Sequence, residues 1–431
     1  MKKTVSGWGR YPVMEAEVRE LLPGSTPALP EEGVIARGLG RSYGDSALAD
    51  TLYRTLPRNR MLDFDGERGE LHCEAGVSFA ELLRVFVPRG WFPPVTAGTK
   101  HITVGGAIAS DVHGKNHHRD GCFSDYVREL TLLGPGGEIF ACSREENPEL
   151  FHATCGGMGL TGIILEARMR MRPIGSSKLD VMTLKAENLE EIFRLMEEYG
   201  DWPYSVAWLD CMAGGRKLGR SLLMAGRFRE DGRLDYTEKA APGIPFTLPG
   251  FLLNRGTVSA FNALYYHRVR GKRTSGIQDI HSFFYPLDII SNWNRIYGRQ
   301  GFLQYQFVLP KENSYEGMKS VLEEISASGM GSFLSVLKLM GPENDNFLSF
   351  PLEGYTLALD FKVQPGLFDF LDGLDCLVAD LGGRIYLTKD ARMSSGIFEE
   401  GYPGLQRFRE VRNSYGMAGC FESEQSRRLE I

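Results

Sequence analysis

PPVTAGTKHITVGGAIASDVHGKNHHRDGCFSDYV, residues 93–127, decides how this chain is read. Gly98, Gly105, Gly106 and Gly114 fall among small and hydroxyl-bearing residues, where a backbone without Cβ atoms can lie against a flat ring that side chains would obstruct. Upstream, ARGLGRSYGDS at 36–46 repeats the device. Gly38, Gly40 and Gly44 let the chain turn tightly and aim successive N–H groups at an anion, which holds a pyrophosphate without spending side chains. Together the two runs read as a flavin site.

The 431 residues exceed one simple core and predict two domains, or one with a large insertion. A net charge of −6 and an isoelectric point near 5.9 give no global basic field, which argues against nucleic acid as a partner. Cys73, Cys122, Cys142, Cys155, Cys211, Cys376 and Cys420 are odd in number, widely spaced and without a CxxC pair. That pattern predicts reduced thiols, a cytoplasmic setting and no zinc or iron–sulfur ligation. The start, MKKTVSGWGRYPVMEAE, has no apolar core segment, and no window reaches the ~18 apolar residues of a span. A soluble protein, or one bound peripherally at the inner face of a membrane, is expected.

Short β-branched or apolar runs (GVIARG, ELHCEAGV, VRELTLLGP, GIILEARMRMRP) alternate with glycine turns from Val34 to about Pro173, around the predicted helix SFAELLRVFVPRG. Ser78 and Glu81 form a capping box for it, and Gly90 is its stop. From about Ile174 to Gly383, longer units (KLDVMTLK, NLEEIFRLMEEYG, SVAWLDCM, SLLMAGRF) predict a second sheet with helices on one face. An irregular segment rich in Pro, Gly, aromatics and Arg/Lys, residues 231–276, reads as a lid or interfacial loop. The tail from Arg384 reads as a strand, then a helix and a charged end.

These residues carry a family resemblance. GLGRSYGDS, the run from Thr96 to His118 and GGMGLTGII at 156–164 resemble, in order and spacing, the FAD domain of vanillyl-alcohol-oxidase-like flavoproteins. VHGKNHH at 112–118, QYQF at 304–307, SFLSVLKLMGP at 332–342, LSFP at 348–351 and YLTKDAR at 386–392 resemble the decaprenylphosphoryl-β-D-ribose 2′-oxidase family over nearly the whole chain. The resemblance implies an α+β fold: an FAD-binding domain over residues 1–173, to which 384–431 return, and an α+β substrate domain with an antiparallel sheet over 174–383. Many relatives place at Asp45 a histidine that bonds covalently to the flavin, so FAD here is expected to be non-covalent. Mycobacterial members carry cysteine at the position of Ala358.

The resemblance and the residue chemistry together nominate a site. The pyrophosphate falls to Ala36, Arg37, Gly38, Leu39, Gly40, Arg41, Ser42, Tyr43, Gly44, Asp45 and Ser46, mainly through backbone N–H groups, with the Ser42 hydroxyl as a further donor. Gly98, Thr103, Val104, Gly105, Gly106, Ser110, Asp111, Val112 and His113 follow the flavin and its ribityl chain, and Gly159 and Ile163 flank the adenine end. His113, His117 and His118 form one glycine-broken local run, unlike a rigid metal site, so no metal is expected. Oxidising a secondary alcohol requires a base for the hydroxyl proton and positive charge where the flavin gains electrons. Lys389 is nominated for one of these tasks. Lys115 and Lys338 are candidates to hold phosphate or sugar oxygens, Gln304 and Gln306 to read hydroxyls from one strand face, and Tyr43 and Tyr386 to close over the site.

The implied activity is FAD-dependent oxidation of the 2′-hydroxyl of a polyprenyl-phosphoryl pentose to the 2′-keto sugar, with a separate NAD(P)H-dependent reductase completing an epimerisation. Two alternatives remain open: an aldonolactone or alditol oxidase acting on a free polyol, and a flavin-binding protein without turnover. In the lid, IPFTLPGFLL followed by HRVRGKR has the composition of a loop touching an anionic bilayer, and equally of a mobile surface lid.

Overall fold

Three sheets and a two-stranded ribbon carry the chain in the computed structural model, which describes residues 2–30, 32–238 and 241–431. Residues 239 and 240, inside the predicted lid, lie outside those described. The first sheet has the order β1-β2-β4-β3 and comprises β1 (Lys2–Ser6), β2 (Val13–Glu20), β3 (Val34–Arg37) and β4 (Thr51–Arg54). Because β3 and β4 run parallel, the chain between them must cross back over the sheet. Residues 38–50 do so, which puts the first glycine run at the carboxyl end of β3.

The second sheet is antiparallel, order β5-β6-β10-β8-β9. Its strands are β5 (Met61–Asp65), β6 (Glu70–Glu74), β8 (Val127–Leu133), β9 (Ile139–Ser143) and β10 (Ile163–Arg170); β7 (Trp91–Phe92) pairs with β11 (Arg172–Pro173) as the ribbon. The predicted helix spans Phe79–Phe86. Ser78 caps it in a complete capping box with Glu81, and Gly90 turns the chain with φ 79° after one 3-10 turn. Leu82 and Phe86 of this helix join the main core.

The third sheet has eight strands in the order β15-β12-β14-β13-β17-β18-β16-β19. They are β12 (Lys178–Ala186), β13 (Tyr204–Leu209), β14 (Ser221–Phe228), β15 (Arg273–Asp279), β16 (Phe302–Pro310), β17 (Ser335–Met340), β18 (Gly354–Lys362) and β19 (Arg384–Ile385). Helices Leu189–Glu198, Ser314–Ser328 and Leu367–Asp380 supply Ile192, Val321 and Leu371 to one core with Leu303, Tyr305, Phe307, Leu357 and Leu359. Since strand side chains alternate, the opposite face of β16 and β18 is left to Gln304, Gln306, Thr356, Ala358 and Asp360.

Two elements differ from expectation. The segment 231–276 is not irregular throughout, because Arg255–His267 is a helix capped by Asn254 and Thr257, and β15 begins at Arg273 as a sheet edge. Its pattern hides it: Val258 and Tyr266 are buried with the polar Asn262 between them, while Phe261 and Leu264 are exposed, so apolar residues mark no single face. The strand expected from Arg384 stops at Ile385. Lys389 and Asp390 both donate their N–H groups to Tyr386 O (2.9 and 3.1 Å), which closes a turn in place of an extended ladder. Helices Ser395–Gly401, Leu405–Ser414 and Glu424–Leu429 follow, and the tail returns to the first sheet through the Val34–Phe421 bridge.

Candidate active site

The two glycine runs meet. Thr103 caps the short helix Val104–Ala109 by accepting from Gly106 N (3.2 Å), and a Cβ on Gly38 would come within 2.5 Å of that same Thr103 oxygen. At Gly44 an added Cβ would stand 1.7 Å from Asp390 O, so the Lys389 turn closes directly on the first run. Tyr43 N also donates to Thr388 O (3.0 Å). Of the first run's glycines only Gly40 needs its conformational freedom, with φ 64°. Gly44 is glycine because the Asp390 backbone passes too close for a side chain, and Gly38 because the Thr103 side chain does. Behind the capped helix, Met158 N and Gly156 N donate to Ala109 O and Ile108 O, and Gly159, with φ 84°, packs on Ile35.

Several nominated side chains are engaged by the protein itself. Arg37 donates to Ala47 O (2.9 Å) and Ser6 O (2.6 Å), bracing its own loop. Leu39 is exposed beside Arg54 and Val18, and Arg41 lies over the Trp8 ring at 4.0 Å. Both Asp45 oxygens accept from Arg428 (2.9 and 3.0 Å). Asp111, at φ 37°, accepts from Ser124 N, Asn344, Asn346 and Ser349, which ties the 344–349 segment to the second glycine run. Ile163 is fully buried in the core. Asp111 and Ile163 therefore have only backbone to offer a ligand.

Across from these loops stands the polar face of the third sheet. Gln304 and Gln306 share it, both buried. Gln304 Nε2 donates to Asp360 Oδ1 (2.6 Å), and the Tyr297 hydroxyl donates to Oδ2 (3.2 Å). Gln306 Nε2 reaches Thr356 Oγ1 (3.2 Å) and His113 Nε2 (3.0 Å). With the amide as donor, His113 carries its proton on Nδ1, a buried atom with no partner among the described residues. The Tyr386 ring stacks on Phe350 at 4.6 Å and donates its hydroxyl to Ser110 O (2.9 Å). His117 Nδ1 accepts from Gly341 N and His118 Nε2 donates to Trp202 O, so both serve the framework.

Lys115, Lys338 and Lys389 converge here. Burial lowers Lys389 to about 7, opposed by Asp360 and reinforced by Lys338; burial and then Lys338 bring Lys115 to about 7; burial takes Lys338 to about 8. Lys115 Nζ donates to Phe283 O and faces the Phe283 ring at 4.6 Å. Lys389 Nζ sits 3.9 Å over the Tyr43 ring. Neither Lys338 Nζ nor Lys389 Nζ has a hydrogen-bond or ion-pair partner among the described residues. Burial pushes the Asp360 carboxyl up to about 7, with Gln304 and Lys389 pulling against it, and burial drives His113 far below the ordinary histidine range, so that ring is neutral.

This arrangement suits FAD. A Cβ on Gly98 would meet nothing within 4 Å, leaving open space at the mouth of the second run. A buried donor on His113 and two unpartnered lysines are costly unless an electron-rich group lies against them. Asp360 and Thr356 are parts of the site that no motif singled out, and Phe350 stood in the LSFP motif without being nominated. Asp360 had a signal, as the acid in the otherwise apolar strand GYTLALDF at the parity of Ala358.

A family model described as an FAD binding domain matches residues 29–143. Together with the fold and the facing loops it defines the class, an FAD-dependent oxidoreductase. The decaprenylphosphoryl-β-D-ribose oxidase of Mycolicibacterium smegmatis is 37% identical over 100% of this chain and 98% of its own length. The chain belongs to the decaprenylphosphoryl-β-D-ribose oxidase family. An uncharacterized protein of Streptomyces coelicolor is 29% identical over 82% of the chain and 100% of its own length. Cytokinin dehydrogenase 9 of rice is 31% identical over 32% of the chain and 28% of its own length.

Proposed function

We propose that this enzyme oxidises the 2′-hydroxyl of a polyprenyl-phosphoryl ribose to the 2′-keto sugar. The observation that carries the reading is the pair of half-buried lysines, Lys338 and Lys389, whose amines find no hydrogen-bond or ion-pair partner among the described residues and lie between the glycine loops and the Gln304–Gln306 face. When bound, FAD supplies the two-electron oxidant. Lys389, near neutrality, takes the hydroxyl proton on Nζ as the carbinol carbon gives up its hydrogen with the electron pair. Gln304 and Gln306 orient the sugar by hydrogen bonds to its hydroxyls, and Asp360 fixes Gln304. Lys115 and Lys338 offset the substrate phosphate. Tyr43 shields Lys389 from water, and the backbone of residues 38–46 with that of 103–113 holds the dinucleotide.

FAD is bound without a covalent link, because Asp45 offers an ion-paired carboxylate in place of a nucleophilic imidazole. Acid precipitation therefore releases all the yellow colour to the supernatant; colour in the pellet would overturn this. The keto sugar is the substrate of a separate NAD(P)H-dependent reductase. The activity is tested by incubating holoenzyme with a short-chain polyprenyl-phosphoryl ribose and treating the product with borodeuteride, which should place one deuterium at C2′. Equal turnover of a free pentitol or aldonolactone, with no need for phosphate, would favour the soluble-polyol reading.

A further inference from the structure

Lys338 and Lys115 reach one spot from two different elements. Lys338 rises from β17 directly across from Thr356 on β18, on the sheet face where Gln306 reaches the Thr356 hydroxyl. Lys115 comes from the loop that follows the second glycine run, and that loop is pinned beside β17 at two points. Ser205 N donates to Lys115 O (2.8 Å) two residues before β13 begins to pair with β17, and Gly341 N, just past the end of β17, donates to His117 Nδ1 (3.0 Å). Lys115 Nζ keeps one bond, to Phe283 O, and lies against the Phe283 and Phe284 rings at 4.6 and 5.8 Å. Two half-buried ammonium groups are thus held near each other beside an aromatic wall.

No anion of the protein balances them. Among the described residues neither amine pairs with a carboxylate; burial and then Lys338 act against the charge of Lys115, and burial acts against that of Lys338, opposed by the Cys122 thiol. Burial keeps that thiol protonated and keeps His113 and His117 neutral. The carboxylates of the same stretch are committed elsewhere, Asp111 to Ser124 N, Asn344, Asn346 and Ser349, and Asp120 to Arg172 at 2.6 Å. Lys389, the third amine, differs because Asp360 offsets it. The Lys115–Lys338 pair therefore presents two positive charges to a ligand, and an uncompensated charge held away from water is costly. A phosphodiester brings one negative charge; a phosphate monoester above its second pKa of about 6 brings two.

We propose that the Lys115–Lys338 pair is a site for a dianionic phosphate monoester, and that sugar-free polyprenyl phosphate occupies it in competition with the sugar-bearing diester. The identity of the lipid rests on the function proposed above; the charge count does not. Such a monoester is what any transferase consuming the sugar leaves behind: the C1′–O bond breaks, its electron pair stays on the lipid phosphate, and the sugar carbon joins an acceptor oxygen that releases its proton. Accumulated spent carrier thus slows the oxidation step.

Calorimetric titration of the full-length holoenzyme tests this with farnesyl phosphate, its methyl diester and inorganic phosphate, at a pH above the second pKa of the monoester. Farnesyl phosphate should bind about tenfold tighter than the methyl diester, the factor for one pKa unit of added ammonium stabilisation. It should also bind tighter than inorganic phosphate and inhibit competitively against a short-chain polyprenyl-phosphoryl ribose. Lys338→Met and, separately, Lys115→Met, each checked for bound flavin, should remove the advantage of the monoester over the methyl diester. Equal affinity for the two esters in the parent protein, or an advantage that survives both substitutions, would overturn the proposal; inorganic phosphate bound as tightly as farnesyl phosphate would overturn its lipid part. The titrations need no turnover. Monoester preference without flavin bleaching by the ribose substrate contradicts the proposed function alone, and bleaching without monoester preference contradicts this proposal alone.

Discussion

Lys389 holds its position through neighbours of opposite effect. Burial and Lys338 lower its affinity for a proton, and Asp360 restores part of it. As the base it must be neutral, so kcat/KM should rise with pH through about 7, by about tenfold per unit on the acid side, and level above. The sign of the coupling gives a second expectation. Asp360→Asn removes the attraction that raises Lys389, so the acid limb of the profile should move to lower pH; a shift upward would contradict this account. Lys389→Ala should keep fold and flavin and lose flavin reduction by about 10²-fold or more, the scale of a general base. Lys389, Gln304 and Gln306 were legible because each stands in a short polar motif within apolar surroundings. His113 was legible as a polar contact, but its unpartnered Nδ1 depends on Gln306, nearly two hundred residues away, which no local pattern shows.

The turn at residues 386–390 shows how an element can depend on its distant supports. Arg428, in the last helix, donates to Asp45 (2.9 Å) and Asp390 (2.8 Å), whose side chains are 5% and 2% exposed. The guanidinium thus joins the first glycine run to the Lys389 turn. Arg428→Ala strands the buried Asp45 carboxylate and leaves Asp390 only the backbone N–H groups of Arg392 and Met393, and removing one partner of a buried pair costs about 3–5 kcal/mol. Thermal unfolding should shift down by several degrees, with flavin lost more readily on dilution; an unchanged midpoint would show the pair to be incidental. None of this was readable from YLTKDAR, which looks like a strand, because the turn is dictated by Gly44 closing on Asp390 O. The helix Arg255–His267 was missed for the opposite reason: its capping signal was present at Asn254 and Thr257, but its apolar residues are split between the buried Val258 and Tyr266 and the exposed Phe261 and Leu264.

Taken as a whole, the molecule opposes two unlike surfaces. One is backbone, where glycine-punctuated loops at the end of β3 and before β8 leave room for a dinucleotide; the other is a sheet face of Gln304, Gln306, Thr356 and Asp360 with Lys338 beside it. The glycine spacing, the capping box at Ser78 and the alternation in QYQF made the elements and the cofactor legible, since each is a local rule. Which strands lie side by side in the eight-stranded sheet, and hence that Asp360 faces Gln304, is set by long-range pairing and appeared only in the structure. The central claim is that these surfaces oxidise a lipid-phosphate-linked ribose. Anaerobic mixing of the holoenzyme with a short-chain polyprenyl-phosphoryl-β-D-ribose tests it most directly, by following the oxidised-flavin absorbance. The account predicts rapid bleaching; a flavin that stays yellow with this substrate, yet is reduced by dithionite, would contradict it.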